Sequence, residues 1–203
     1  MTLDTFRPVA DRLLDPLVSG AKRVGLTPNT VSILALVAAI AGAICFYAAK
    51  DAQLLYLAGA IFVFANGVFD LVDGGLAREL GTASAAGDLL DHVLDRYADL
   101  ILISGLAAGI GEYALGLAAV TGVLMTSYLG TQAQAVGLDR VYGGMLGRAD
   151  RLALMGAITA IAAFIDITTA GLTVVGWLLV VFAIVGHVTA LQRFYYAMKA
   201  LPS

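Results

Sequence analysis

Apolar residues fall in runs long enough to cross a bilayer. The runs cover about 31–49, 53–77, 87–110, 113–136, 151–168 and 173–197. Each approaches the ~20 residues that a helix needs to span a hydrocarbon core of about 30 Å. The breaks are Lys50-Asp51, the stretch 79–86 (ELGTASAA), Gly111-Glu112, the stretch 137–148 (GLDRVYGGMLGR), and Asp166 to Gly171. Residues 5–23 behave differently. There Phe6, Val9, Leu13, Leu14, Leu17 and Val18 recur at helical spacing, with Arg7, Asp11, Arg12, Asp15, Lys22 and Arg23 between them. That pattern predicts an amphipathic helix in the membrane interface. Gly25 and Pro28, in VGLTPNT (24–30), break the chain before the first span. The expected fold is all-α integral membrane: an interfacial helix, then six transmembrane helices, as a single domain over 1–203.

Charge distribution orients this arrangement. Six spans put both termini on one side. Arg7, Arg12, Lys22, Arg23, Arg78, Arg140, Arg148, Arg151, Arg193 and Lys199 then fall on the terminal side or at its edge. Only Lys50 lies clearly opposite, and Arg96 sits within a span. By the positive-inside rule the termini and the two longer loops are cytoplasmic, and the protein belongs in the cell membrane.

Composition agrees. The chain is 60% hydrophobic and 13% charged, against about 25% charged for a soluble domain. A net charge of −3 gives no reason to expect a nucleic-acid partner. The single cysteine, Cys45, lies in an apolar run and reads as a small packing residue. The 23 glycines suit close packing of transmembrane helices.

Against this background, residues 70–99 (DLVDGGLARELGTASAAGDLLDHVLDRYAD) are exceptional. They hold Asp70, Asp73, Asp88, Asp91, Asp95 and Asp99. Asp70, Asp73 and Ala77 are spaced i, i+3, i+7, and Gly87, Asp91 and Asp95 are spaced i, i+4, i+8. Each set forms one face of a helix. A short loop joins the two helices, so they are antiparallel neighbours whose carboxylates can face each other near the cytoplasmic end. Four carboxylates this close repel one another unless something positive sits among them. Their oxygens suit Mg²⁺, Mn²⁺ or Ca²⁺, and no Cys/His cluster offers a zinc site. Divalent ions beside a cytoplasmic opening suggest a phosphate-bearing substrate. Gly74 and Gly87 allow close approach to the backbone, and Arg78 lies one turn beyond Gly74. A structural role, paired to Arg78 and Arg96, or an ion pathway, is the alternative. Four intramembrane carboxylates at these spacings argue against burial without a use. Asp88 and Asp99 are placed off the face of Asp91 and Asp95. Asp88 reads as a polar residue at the helix end, and Asp99 as a partner of Arg96 or of a polar cluster. His92 is read as packing or as support for Asp91.

The residues Asp70-x2-Asp73-Gly74-x2-Ala77-Arg78-x8-Gly87-x3-Asp91-x3-Asp95 resemble the signature of the CDP-alcohol phosphotransferase family at every fixed position. The span count and the N-terminal helix fit that resemblance over essentially the whole chain. It implies a homodimeric enzyme that moves the phosphatidyl group of a CDP-linked lipid to an alcohol and releases CMP. Asp70, Asp73, Asp91 and Asp95 would bind two divalent ions, Mg²⁺ or Mn²⁺. Asp95 would also take the proton of the acceptor hydroxyl, beside Asp91. Gly74, Ala77, Arg78, Ser84 and Gly87 would surround the cytidine nucleotide together with Asp70 and Asp73. Thr27, Pro28, Asn29 and Thr30 look like a second nucleotide contact.

The segments GLTPNTVSILALVAAIAGA, 127–138 and 147–152 resemble the branch that makes phosphatidylinositol phosphate or its archaeal ether analogue. That branch carries a Lys, an Arg and a Glu where this chain has Gly130, Gln132 and Gln134. Arg148, Arg151 and Arg193 remain to grip an acceptor phosphate. Inositol phosphate, glycerol phosphate, serine or another small polar alcohol are the candidate acceptors. A membrane prenyltransferase would place its two aspartate motifs far apart in sequence. A cation transporter would carry its carboxylates near mid-membrane and show a repeated half. Neither pattern is present.

Overall fold

The computed structural model describes residues 7–138 and 146–201, and only the backbone of 7–13. Phe6 and Arg140, and the side chains of Arg7, Val9, Asp11, Arg12 and Leu13, lie outside that description. The elements run α1 (Arg7–Arg23), α2 (Pro28–Ala48), α3 (Leu55–Leu80), α4 (Ala85–Ile110), α5 (Tyr113–Ala135), α6 (Arg148–Ala162), β1 (Thr168–Thr169), β2 (Leu172–Thr173) and α7 (Val174–Ala200).

Helix α2 starts three residues before the predicted span. Thr27 caps it, its side chain accepting from the Thr30 amide at 3.3 Å. Pro28 follows in the first turn, where a missing N–H is harmless. Pro28 thus opens the helix rather than merely interrupting the chain. Helix α3 continues past 77 to Leu80 and ends on Gly81, whose φ of 65° is left-handed. Ser84 then caps α4, accepting from the Gly87 amide at 3.2 Å. Two caps separated by so little chain turn α4 back antiparallel to α3, and α2 packs against both.

Helix α6 ends at Ala162, before the predicted 168. The remaining apolar residues lead into a two-stranded antiparallel ribbon, pairing Thr168 with Thr173 and Thr169 with Leu172. Ala170 and Gly171 turn it with φ of 50° and 81°, the pair of positive φ values that a two-residue hairpin turn needs. Trp177 Nε1 donates to the Thr169 carbonyl at 3.1 Å and fastens the ribbon to α7. Among the described residues, this ribbon is the one non-helical element.

Four described helices are long and apolar enough to cross a membrane: α2, α3, α5 and α7. Helix α4 has the length, with 26 residues, but carries Asp88, Asp91, Asp95, Arg96 and Asp99. Helix α6 has 15 residues, about 22 Å at 1.5 Å per residue.

Helix α2 packs against both α3 and α4, α5 packs along α7, and α6 lies on α3. Phe46, Leu102, Leu106, Met155, Leu179 and Phe182 are buried where these layers meet. Gly105 shows how tight the contact is, since a Cβ there would fall 2.6 Å from the Ala43 carbonyl oxygen. Close backbone approach of this kind replaces the hydrophobic drive that lipid removes. Outward positions carry Ile33, Val37, Ile44, Phe64 and Leu191, all exposed. Helix α1 has Pro16 inside it. Its Val18 and Ala21 pack with Val31, Val72 and Leu76, and Lys22 Nζ donates to Glu79 Oε1 at 2.8 Å.

Candidate active site

The α3–α4 hairpin assembles the site. Helix α3 presents Asn66, Asp70 and Asp73. Helix α4 presents Gly87, Asp91, Asp95 and Asp99 at steps of four residues. Asp99 therefore belongs to the same row as Asp91 and Asp95. This corrects the reading that set it off that face. An apolar neighbourhood in the sequence hid a step that the helix geometry makes plain.

One guanidinium binds the two helices together. Arg148, the first residue of α6, places Nη1 2.6 Å from Asp70 Oδ1 and Nη2 2.8 Å from Asp95 Oδ1. Its Nη2 also lies 3.4 Å from Asn66 Oδ1, and its Nε 4.0 Å from Asp99 Oδ1. Asn66 is fully buried and donates through Nδ2 to the Ala35 carbonyl at 2.8 Å. The positive group that the clustered carboxylates require is thus supplied from the far end of the chain.

Behind that layer, Arg151 Nη2 donates to Asp99 Oδ2 at 2.7 Å. Arg96 sits 3.8 Å from Asp99 and 3.6 Å from Asp95, and donates to Ser127 Oγ on α5. Arg193 Nη1 donates to the Thr126 carbonyl at 2.6 Å. Of the three arginines assigned to the acceptor, only Arg148 directly bridges carboxylates of the predicted metal set. Arg151 holds Asp99, and Arg193 ties α7 to α5.

Asp73 and Asp91 face the other way, toward a cavity of about 450 Å³. Thr27, Pro28, Asn29, Gly74, Ala77, Arg78, Ser84 and Gly87 line it. Thr30 does not line it; its hydroxyl bonds Thr27 Oγ1 at 2.8 Å. The capped N-termini of α2 and α4 both border this cavity, and helix N-termini attract anions. Gly87 lies between the two walls, where a Cβ would make ordinary contacts of 3.4 Å with Ser84 Oγ and 4.0 Å with Asn29 Oδ1. A second groove of about 880 Å³ runs between α3 and α6. Asp70, Asp95, Arg96 and Arg148 form one end, and Leu57, Ile61, Phe64, Leu152 and Gly156 the apolar remainder.

Part of the predicted donor set fits a divalent ion: among the described residues the group that could hold one joins Asp91 and Asp95 with His92, without Asp70 or Asp73. Ligand atoms of Asp91, His92 and Asp95 lie within 4.8 Å of one another, and the ring Nδ1 of His92 is 3.6 Å from Asp91 Oδ2. Asp70 and Asp95 already share one cation, the Arg148 guanidinium. Carboxylate oxygens suit Mg²⁺ and Mn²⁺, and a nearby imidazole suits Mn²⁺ as well. Two contributors escaped the sequence reading. Asn66 and Ser32 act across helices, and their only sequence signal is a polar residue within an apolar span.

Comparison with known proteins agrees with this geometry. The profile described as CDP-alcohol phosphatidyltransferase matches residues 25–189. The archaetidylinositol phosphate synthase of Methanothermobacter thermautotrophicus is 30% identical over 204 residues, covering 98% of this chain and 95% of that protein. The phosphatidylinositol phosphate synthase of Mycobacterium tuberculosis is 34% identical over 193 residues, covering 91% and 85%. A crystal structure of the M. tuberculosis synthase with CDP-DAG bound superposes with a TM-score of 0.78 at 29% identity, covering 93% of this chain and 94% of that one. Another, in complex with manganese and citrate, gives 0.79 at 28% identity, covering 92% and 89%.

Proposed function

Since the chain belongs to the CDP-alcohol phosphatidyltransferase family, we propose that it moves the phosphatidyl or archaetidyl group of a CDP-linked lipid to a phosphorylated polyol and releases CMP. One observation carries the reading. A cavity of about 450 Å³, bordered by the N-termini of α2 and α4, has the carboxylates Asp73, Asp88 and Asp91 in its wall.

In this reading the cytidine nucleotide occupies the cavity between Asn29, Gly74, Arg78 and Gly87, with the diphosphate toward Asp73 and Asp91. The lipid tails leave along the apolar groove between α3 and α6. Asp70, Asp73, Asp91 and Asp95 hold two Mg²⁺ or Mn²⁺ ions, with His92 beside Asp91. When bound, such ions neutralise developing charge on the phosphates and orient the leaving group. Asp95 accepts the proton of the acceptor hydroxyl. The hydroxyl oxygen bonds to the β-phosphorus as the bond from that phosphorus to the bridging oxygen breaks, and CMP departs with that oxygen. Arg148 sits where it can meet the acceptor's phosphate, and Arg151, behind it on Asp99, and Arg193 are assigned to support it.

The acceptor we assign is inositol phosphate, in line with the names of the relatives. Gly130, Gln132 and Gln134 depart from that branch, so glycerol phosphate is the second candidate and serine the unphosphorylated one. The chain is further assigned as a homodimer of single-domain protomers over 1–203. Helices α2 to α7 make six spans and α1 lies at the interface, with termini and site facing the cytoplasm. The arginines that open α6 and the carboxylates of α4 share one level, which supports that orientation.

The test is CMP release by the purified protein in detergent, with CDP-diacylglycerol or CDP-archaeol. Mg²⁺ or Mn²⁺ and a panel of inositol phosphate, glycerol phosphate, serine and free inositol complete it. Release that requires inositol phosphate and one metal is expected. Release with serine alone would overturn the phosphorylated acceptor, and no release with any acceptor would overturn the reaction.

A further inference from the structure

Ser32 lies on α2, opposite the carboxylates rather than among them. Its Oγ donates to Asp73 Oδ2 at 2.6 Å and lies 3.2 Å from the Pro28 carbonyl oxygen. Both Ser32 and Asp73 are 6% exposed. A serine or threonine inside a helix ordinarily returns its proton to the carbonyl four residues back. Thr159 does so here, donating to the Met155 carbonyl at 2.6 Å. Ser32 has that option through Pro28, yet its shorter contact crosses to another helix and a carboxylate.

The position has a second property. Ser32 borders the nucleotide cavity with Asn29 and Gly74, and also the narrow void lined by Asp70, Asp91 and Asp95. It stands one turn after Thr27, Pro28 and Asn29 on the same helix. Holding Oδ2 fixes the Asp73 rotamer at the border between the two spaces.

We propose that Ser32 is a positioning residue. Through its hydroxyl it orients Asp73 for the divalent ion and couples that ion to the helix end that borders the nucleotide. The inference rests on the transferase reading above. Hydrogen bonds that orient a metal's ligands typically change affinity by about 10–100-fold when lost.

The experiment is a Mn²⁺ titration followed by electron paramagnetic resonance of the free ion, on full-length protein in detergent, with and without CDP. Ser32→Ala and the near-isosteric Ser32→Cys should each weaken Mn²⁺ binding by about 10-fold or more. Ser32→Thr, which keeps the hydroxyl, should bind within about 2-fold of wild type. CDP should tighten Mn²⁺ binding in wild type and Ser32→Thr, and less so in the other two. Wild-type affinity in Ser32→Ala or Ser32→Cys would overturn the role of Ser32 alone. Equal weakening in all three variants would make Ser32 a packing residue and overturn it too. A wild-type protein that leaves Mn²⁺ free would overturn the transferase reading itself.

Discussion

Arg151 Nη2 meets Asp99 Oδ2 at 2.7 Å, with both side chains buried. The two partners are not equivalent. Asp99 also faces Arg96 at 3.8 Å and Arg148 at 4.0 Å. Removing Asp99 leaves three arginines facing one another, whereas removing Arg151 leaves Asp99 two cations. Breaking a buried pair by deleting one member costs roughly 3–5 kcal/mol. Asp99→Ala is therefore expected to lower the melting temperature in detergent further than Arg151→Ala. Equal melting temperatures would show that Arg96 and Arg148 do not rely on Asp99.

Asp95→Asn keeps the shape and one oxygen for Arg148 but cannot accept a proton. CMP release is expected to fall by about 10²–10⁴-fold, the usual contribution of a general base. CDP-lipid binding is expected to persist and Mn²⁺ binding to weaken without being lost, since Asp91 and His92 remain. Unchanged turnover would remove Asp95 from the base role.

Arg148 forks across Asp70 and Asp95, and a lysine cannot reproduce that geometry. Arg148→Ala and Arg148→Lys are both expected to raise the KM for a phosphorylated acceptor by about 10-fold or more, leaving the KM for CDP-lipid within about 3-fold. Arg151→Ala, one step further back, is expected to raise it less. Acceptor KM values that stay flat in all three would assign these arginines to the carboxylates alone.

Gly87 lines the nucleotide cavity between Ser84 and Asn29. Gly87→Leu is expected to fill it and raise the KM for CDP-lipid by about 10-fold or more, with Mn²⁺ binding intact. A normal KM would move the nucleotide out of this cavity.

Gly105 touches the Ala43 backbone, while Gly20 on α1 has nothing within 4 Å of a Cβ. Gly105→Val is expected to push α2 and α4 apart and to lose folded protein on gel filtration. Gly20→Ala is expected to be neutral or to stabilise by about 0.5–1 kcal/mol, since alanine is the better helix former. Tolerance of Gly105→Val would mean that the helices do not approach as closely as described.

Much of the site is legible from spacing. Asp70, Asp73, Asp91 and Asp95 sit at intervals that one helix face converts directly into proximity. The hairpin is legible too, because Gly81 and Ser84 mark its ends. What spacing cannot reveal is contact between helices distant in sequence. Ser32 reaching Asp73, Asn66 reaching Ala35 and Arg148 entering between Asp70 and Asp95 are of that kind. The end of α6 escaped for another reason. Hydropathy continues through Phe164, Ile165 and Ile167, but it reports what a residue is soluble in and not whether the backbone is helical.

Arg148 lies two helices downstream of the carboxylates it joins, and this sets an order of events during synthesis. Chains grow at roughly 5–20 residues per second, so α3 and α4 emerge several seconds before their guanidinium partner. Through that interval Arg96 is the cation made alongside Asp95, and the guanidinium that joins Asp95 to Asp70 is still to come. Insertion of this hairpin and the arrival of α6 are thereby linked. A ribosome stalled between α5 and α6 would hold a nascent chain with its acidic row complete, Arg96 beside it and the Arg148 guanidinium still unmade.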